Sequence, residues 1–305
     1  MTTTKERAAW VALALVLTGL ASMPALAGPW VPFDWYEATL GGKRVPHAAL
    51  VVPVVVDGRT CRLQLDTGAD YRVRARSNEA RDVAAYESAV DQLLRDGPRA
   101  ASTPPSGTDE DDSRCGLVGD IGSGFFVGQA LQLDLKGGRL RLLPSSGLTP
   151  GALASGGAME VLTPPGSTGA LPIIEIDIEG LGRRRALVDT GAASFGAVFL
   201  DVADWQTALK LSGAEPAAFD APREDGAARC QVAPGQVRVR LSEAHVHDLT
   251  PAHCASSFIP PAGLTVVLGL EVLGDRLLTL DYGGRRWFAT PAPSPRAPSS
   301  RSRRD

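Results

Sequence analysis

The chain has 305 residues, 44% hydrophobic and 21% charged, with a formal net charge of −3. That composition excludes a wholly disordered chain and a polytopic membrane protein, and the charge gives the body no reason to bind nucleic acid. Gly (33) and Pro (23) are abundant while aromatics make up 6%, a balance that favours strands, turns and loops over a helical bundle.

Residues 1–27 have the pattern of a secretory signal. Lys5 and Arg7 form a basic start, Trp10 to Leu20 is apolar, and Ala25-Leu26-Ala27 is a small-x-small cleavage site. The apolar run is short for a membrane span, so no span is expected after cleavage; an uncleaved N-terminal anchor is the competing reading. With +1 in 1–27 and +3 in 291–305, the whole-chain −3 leaves −7 for residues 28–290.

The body opens on Val51 to Val56, an apolar strand, then a turn at Asp57-Gly58 and a second strand, Arg62 to Leu65, ending in Asp66-Thr67-Gly68-Ala69. Asn78 to Arg95 has helix formers and a one-sided apolar stripe (Val83, Tyr86, Val90, Leu93, Leu94), with Ser77 to cap it and Gly97 to end it. Ser102 to Arg114 is acidic and Pro-rich and is expected to be an exposed loop. Ile121-Gly122, an apolar run to Asp134 and a turn at Gly137-Gly138 follow. Pro144 to Gly169 has linker composition, rich in Gly, Ser, Pro and Ala.

Past that segment the order repeats. Ile173 to Ile178 and a turn at Glu179-Gly180 lead to Arg185-Ala186-Leu187-Val188, then Asp189-Thr190-Gly191-Ala192. A shorter helix is expected over Val202 to Leu211, stopped near Gly213, and a hairpin over Val237 to Leu241 and His245 to Leu249. Leu268-Gly269, a strand to Asp281 and a turn at Gly283-Gly284 close the second copy. Asp134 and Asp281 repeat too, but at strand-end turns. Pro291 to Asp305 is a Pro, Ser and Arg tail without apolar pattern, expected to be disordered. The organisation is therefore a signal (1–27), lobes at 29–150 and 165–290, and a basic tail (291–305).

Four cysteines remain after export: Cys61, Cys115, Cys230 and Cys254. An even count in an exported chain suggests disulfides, with three pairings possible. The repeat favours Cys61–Cys115 and Cys230–Cys254, one pair per half. The competing zinc reading fits no ligand spacing, since His245, His247 and His253 lie on one stretch without a Cys-x-x-Cys. No metal and no cofactor is expected: no phosphate loop, dinucleotide fingerprint or Ser-His-Asp pattern stands out.

A carboxylate in a turn after an apolar strand is costly unless it is used or well hydrogen-bonded. The following glycine lets backbone pass close, and the threonine hydroxyl can bond across to a facing copy. If a two-fold relation brings Asp66 and Asp189 together, both cannot easily ionise, so they share a proton. One can then take a proton from water and the other can hydrogen-bond a substrate carbonyl. The alternative for either aspartate is a turn residue capping its own backbone.

Leu65-Asp66-Thr67-Gly68-Ala69 and Val188-Asp189-Thr190-Gly191-Ala192, followed by Val118-Gly119 or Ile121-Gly122 and by Val267-Leu268-Gly269, resemble aspartic proteases of the pepsin–retropepsin superfamily. Leu171 to Phe288 is similar to the bacterial retropepsin-like domain almost throughout. The resemblance implies a mainly β protein of two pseudo-symmetric closed β-barrel lobes, each with short helices. It implies a catalytic dyad of Asp66 and Asp189, supported by Thr67, Gly68, Thr190 and Gly191, with Ala69, Ala192 and Asp70 near the substrate backbone. Asp70 could instead be a surface charge paired with Arg72 or Arg74.

Two departures stand out. Between Asp70 and Cys115 no flap hairpin is evident and Tyr71 is too close to Asp66 to serve as a flap tyrosine; Phe219 to Val237, with Gly226 and Gly235, is a better hairpin. Ala69 and Ala192 stand where pepsin-like chains often have Ser, which implies a less acidic optimum, because a hydroxyl there would lower the dyad. The expectation is an exported, monomeric aspartic endopeptidase, periplasmic or secreted, acting on peptides or proteins. The alternative is a catalytically idle peptide-binding or inhibitor-like relative that keeps the cleft.

Overall fold

The computed structural model describes residues 27–40, 42–76, 83–98, 114–145, 148, 156–192, 195–223, 226–255, 260–274 and 276–291. The expected signal up to residue 26, the Ser77 cap, the acidic loop up to residue 113 and the tail from 292 lie outside them.

Strands dominate, with two α-helices among the described residues, Val83–Asp96 and Val202–Ser212. The period-two pattern does the work in the first half. Along Arg59–Leu65, Cys61, Leu63 and Leu65 are buried while Arg62 is exposed, so one face joins the core and Gln64 and Arg62 take the other. This strand is joined to Lys43–Val56 by Asp57 and Gly58, both at positive φ (51° and 76°), the geometry a two-residue hairpin turn needs. The five-stranded sheet runs Asp34–Leu40, Lys43–Val56, Arg59–Leu65, Arg114–Ile121, Val73–Ala75. Arg59–Leu65 and Arg114–Ile121 pair in parallel, and Cys61–Cys115 ties them.

The second, fifteen-stranded sheet holds the other strands. Its middle repeats the same unit: Gly182–Val188 pairs in parallel with Leu264–Leu268, which pairs antiparallel with Ala197–Phe199. The expected hairpins appear as Val237–Ser242 with His245–Leu249, and Ala217–Arg223 with Gly226–Val232. Cys230 and Cys254 are direct cross-strand partners and form the second disulfide. The Val202–Ser212 helix starts on the Asp201 carboxylate, which accepts from Asp204 N at 2.9 Å, and ends at Gly213 in the left-handed region.

Two expectations need correction. Neither sheet closes into a barrel: in neither does the last strand in order pair back with the first. A shared ladder within the fifteen-stranded sheet joins the halves instead. Gln129–Asp134 from the first half pairs with Arg276–Asp281 from the second, and Arg286–Pro291 carries the sheet on to Gly156–Leu162 and Leu171–Ile178. The segment 144–169 is likewise no plain linker, since it contains the Gly156–Leu162 strand. Its small residues serve close approach. A Cβ on Gly156 would lie 2.7 Å from Phe288 Cβ, and one on Gly169 would lie 2.6 Å from Ser123 Oγ.

The main core runs through both halves. Leu131, Leu133, Leu278 and Leu280 are each buried in the shared ladder. Repetition also explains Asp134 and Asp281. Each caps its own turn (Gly137 N at 2.8 Å, Gly284 N at 2.7 Å) and pairs with the arginine that is its register partner on the next strand (Arg139 Nε at 2.9 Å, Arg286 Nε at 2.8 Å). They are structural acids at equivalent turns.

Candidate active site

Each Asp-Thr-Gly sequence leaves its strand in the same way. Asp66 N donates to Ile121 O and Asp189 N to Leu268 O, both at 2.9 Å, so each aspartate is held by the strand running parallel to its own. Ala69 N and Ala192 N turn back to Asp66 O and Asp189 O, both at 3.3 Å. The glycine of each apolar-Gly motif is required by space. A Cβ on Gly122 would strike Tyr71 O, and one on Gly269 would strike Phe195 O.

The threonines join the two turns reciprocally. Thr67 Oγ1 donates to Val188 O at 2.8 Å and accepts from Thr190 N at 3.0 Å. Thr190 Oγ1 donates to Leu65 O at 2.8 Å and accepts from Thr67 N at 3.0 Å. Both threonines are fully buried. Four bonds between residues more than 120 positions apart thus fix one turn against the other, with every buried hydroxyl used as donor and acceptor.

That grip sets the carboxyl groups of Asp66 and Asp189 side by side at the junction of the two turns, close enough for each to shift the titration of the other. Each carboxyl lies against the glycine of the opposite turn. A Cβ on Gly68 would come 2.6 to 2.8 Å from the Asp189 carboxyl, and one on Gly191 would come 2.7 to 2.8 Å from that of Asp66. Gly68 N donates to Asp66 Oδ1 at 2.9 Å and Gly191 N to Asp189 Oδ1 at 2.7 Å. The carboxyls keep one side open to solvent and are enclosed by protein elsewhere.

The pair is electrostatically unequal. Burial first, then the charge of Asp189, pushes Asp66 well above the ordinary carboxylate range. Burial also raises Asp189, but a hydrogen bond from Asp66 and the N–H groups of Gly191, Ala192 and Gly68 oppose it. The pair titrates as a unit and shares a proton. Tyr282 lies beneath. Its buried phenol is raised by burial and by both aspartate charges, and its hydroxyl has no hydrogen-bond partner among the described residues.

Other residues named from the sequence make contacts of their own. Asp70 accepts from Ser167 Oγ, and its carbonyl accepts from Gly169 N at 2.8 Å, so it anchors the approach to the second half. Arg72 pairs with Asp91 at 2.7 Å and stacks over Phe125. His253 Nδ1 contacts Phe199 O at 2.8 Å and its ring stacks on Trp205, away from the aspartates.

Four residues beside the site are not marked by the motifs: Ser123, Gln64, Arg76 and Asp120. Ser123 donates to Ala69 O at 2.7 Å and accepts from Ala170 N at 2.9 Å, bracing the first turn. Gln64 donates from Nε2 to Gly191 O at 3.3 Å, and its Oε1 accepts from Arg76 Nη2 at 2.5 Å. The same Nη2 donates to Asp120 Oδ1 at 2.7 Å. The signal was available: Gln64 lies two positions before Asp66, hence on the same strand face, and Asp120 is a charge inside an apolar strand.

The chain matches no protein-family model and no curated protein. Among solved structures it is similar to a protein titled edgp, at 11% identity and a TM-score of 0.41, covering 88% of this chain and 96% of that one. It is also similar to basic 7S globulin from soybean, at 9% identity and a TM-score of 0.43, covering 87% and 95%. Likenesses of that size carry no argument about chemistry. No helix among the described residues is long and apolar enough to cross a membrane.

Proposed function

We propose that this chain is an exported aspartic endopeptidase of the pepsin–retropepsin type, with the halves 29–150 and 165–290 as its two lobes and Asp66 and Asp189 as its dyad. One observation carries the reading: two carboxyl groups from repeated turns lie together, each against the other's glycine, under a reciprocal threonine grip. The two disulfides fit an exported chain.

The chemistry follows from the unequal pair. Ionised Asp189 takes a proton from water, and the hydroxide forms a bond to the peptide carbonyl carbon. Asp66 gives its proton to the carbonyl oxygen, producing a neutral gem-diol. Asp189 then passes its proton to the amide nitrogen while Asp66 recovers one from a diol hydroxyl. The C–N bond breaks and the dyad returns to its starting protonation. The hairpin over Ala217–Arg223 and Gly226–Val232 is the cover this reading assigns to the cleft.

The test is digestion of a peptide library by the mature chain. Asp189→Asn and Asp66→Asn are each expected to lower cleavage by about 10²–10⁴-fold, the range of positioned acid–base groups. Cleavage unchanged by Asp189→Asn removes the dyad from the mechanism. Absence of cleavage by the wild-type chain, with peptides still bound, replaces the peptidase with the idle peptide-binding relative.

A further inference from the structure

The two strands that present the aspartates carry unlike neighbours at equivalent positions. In the first half Gln64 is the register partner of Asp120, and Arg76 N donates to Val118 O at 2.9 Å. In the second half Leu187 is the register partner of Val267, and Leu200 N donates to Thr265 O at 2.8 Å. Equivalent backbone thus presents Gln64, Arg76 and Asp120 on one side and Leu187, Leu200 and Val267 on the other. The apolar set belongs to one cluster, with Leu187 and Val267 buried.

Strand alternation puts Gln64 on the face of Asp66 and Leu187 on the face of Asp189. The polar wall abuts the dyad directly, since Gln64 bonds the Gly191 carbonyl and the Asp120 charge is felt at Asp66. Within that wall the acid is hidden and the base is not: the Asp120 side chain is 5% exposed and that of Arg76 33%. The contacts to Gln64 and Asp120 both use Nη2 of a guanidinium that carries five N–H donors, so its fork is suited to a second carboxylate.

We propose that the cleft selects peptides with an acidic side chain on one side of the scissile bond, against Arg76 and Gln64, and an aliphatic side chain on the other, against the apolar wall of which Leu200 is the half-buried member. This rests on the proposed site for where the peptide lies, but not on catalysis. A buried Asp120 holding Arg76 in place positions a cation without leaving a net charge in the wall.

The experiment measures binding by fluorescence anisotropy, using the mature chain and labelled hexapeptides whose central bond is a reduced amide and cannot be cut. The central pairs are Glu-Leu, Leu-Glu, Leu-Leu, Lys-Leu and Leu-Lys. One of the two Glu peptides is expected to bind at least tenfold tighter than Leu-Leu, the Lys peptide of the same order weaker, and the preference to shrink with salt. The combined change Gln64→Leu, Arg76→Leu, Asp120→Val copies the second half and is expected to turn the preference to Leu-Leu. Arg76→Gln, which keeps a donor for Asp120, is expected to erase the Glu preference in a chain that folds. Leu-Leu binding as tightly as either Glu peptide, a Glu preference that survives Arg76→Gln, or no peptide bound, each overturns the proposal. Selective binding without cleavage sinks the peptidase reading and leaves this one standing.

Discussion

The turn at Asp66 and the turn at Asp189 are the same object built twice, and they differ in the charges and side chains around each carboxyl. Both leave a strand of the same length, are held by a parallel neighbour, and contribute one threonine to the grip. Yet burial and the charges of Asp189 and Asp120 raise Asp66, while at Asp189 backbone N–H groups oppose the burial that raises it. Symmetry builds the scaffold, and unlike surroundings set how far each carboxyl is raised.

The harshest way to break this comparison is to fill the space each glycine leaves. Gly68→Ala and Gly191→Ala each push a methyl group into the opposite carboxyl. Peptidase activity is expected to fall about 10²-fold or more in either variant, since misplacement by about 1 Å costs that much. A turnover assay in which only one of them is impaired would show that the cross-packing matters on one side alone.

The threonines give a milder and more symmetric test. Thr67→Val leaves Thr190 N and Val188 O without partners, and Thr190→Val leaves Thr67 N and Leu65 O. With about 1–3 kcal/mol for each buried unsatisfied group, either variant is expected to lose about 2–5 kcal/mol in urea melts. Losses of unequal size would mean that one half holds its turn by other means, Ser123 being the first to suspect in the first half.

The smallest effects are in pH. Both carboxyls are raised in the folded state, so their contribution to stability is full below the ordinary carboxylate value, near pH 4, and is lost as pH rises through the folded values. Asp66→Asn removes the larger share. It is expected to raise Tm by a few degrees at pH 7, with the gap closing towards pH 4 in a calorimetric series. The same shift moves the rate profile. With Ala69 and Ala192 offering no hydroxyl to the dyad, activity is expected to extend towards neutral pH. A kcat/KM profile with both limbs below about pH 4 contradicts that.

Much of this was legible from residue order. The two Asp-Thr-Gly copies, the strand before each, the helix ending near Gly97 and the one ending at Gly213, and both hairpins of the second half follow from periodicity and turn chemistry. So did the disulfide pairing, because a repeat assigns partners that spacing leaves open. The failures share a cause. Gly156 and Gly169 read as linker because glycine marks both flexible chain and backbone in close contact, and composition does not distinguish them. The expected barrels failed because whether a sheet closes depends on what its edge meets, here strands about 150 residues away.

Local chemistry alone determined what each half is: a period of two buries one strand face, a glycine permits one close approach, and an aspartate follows the strand it must follow. Only the tertiary structure decided that Asp66 and Asp189 meet, how their surroundings raise each of them, and that Arg76 takes the place in one half that Leu200 takes in the other. Those facts depend on distances between segments far apart in the chain. Burial and Coulomb energies vary with such distances, and no local pattern encodes them.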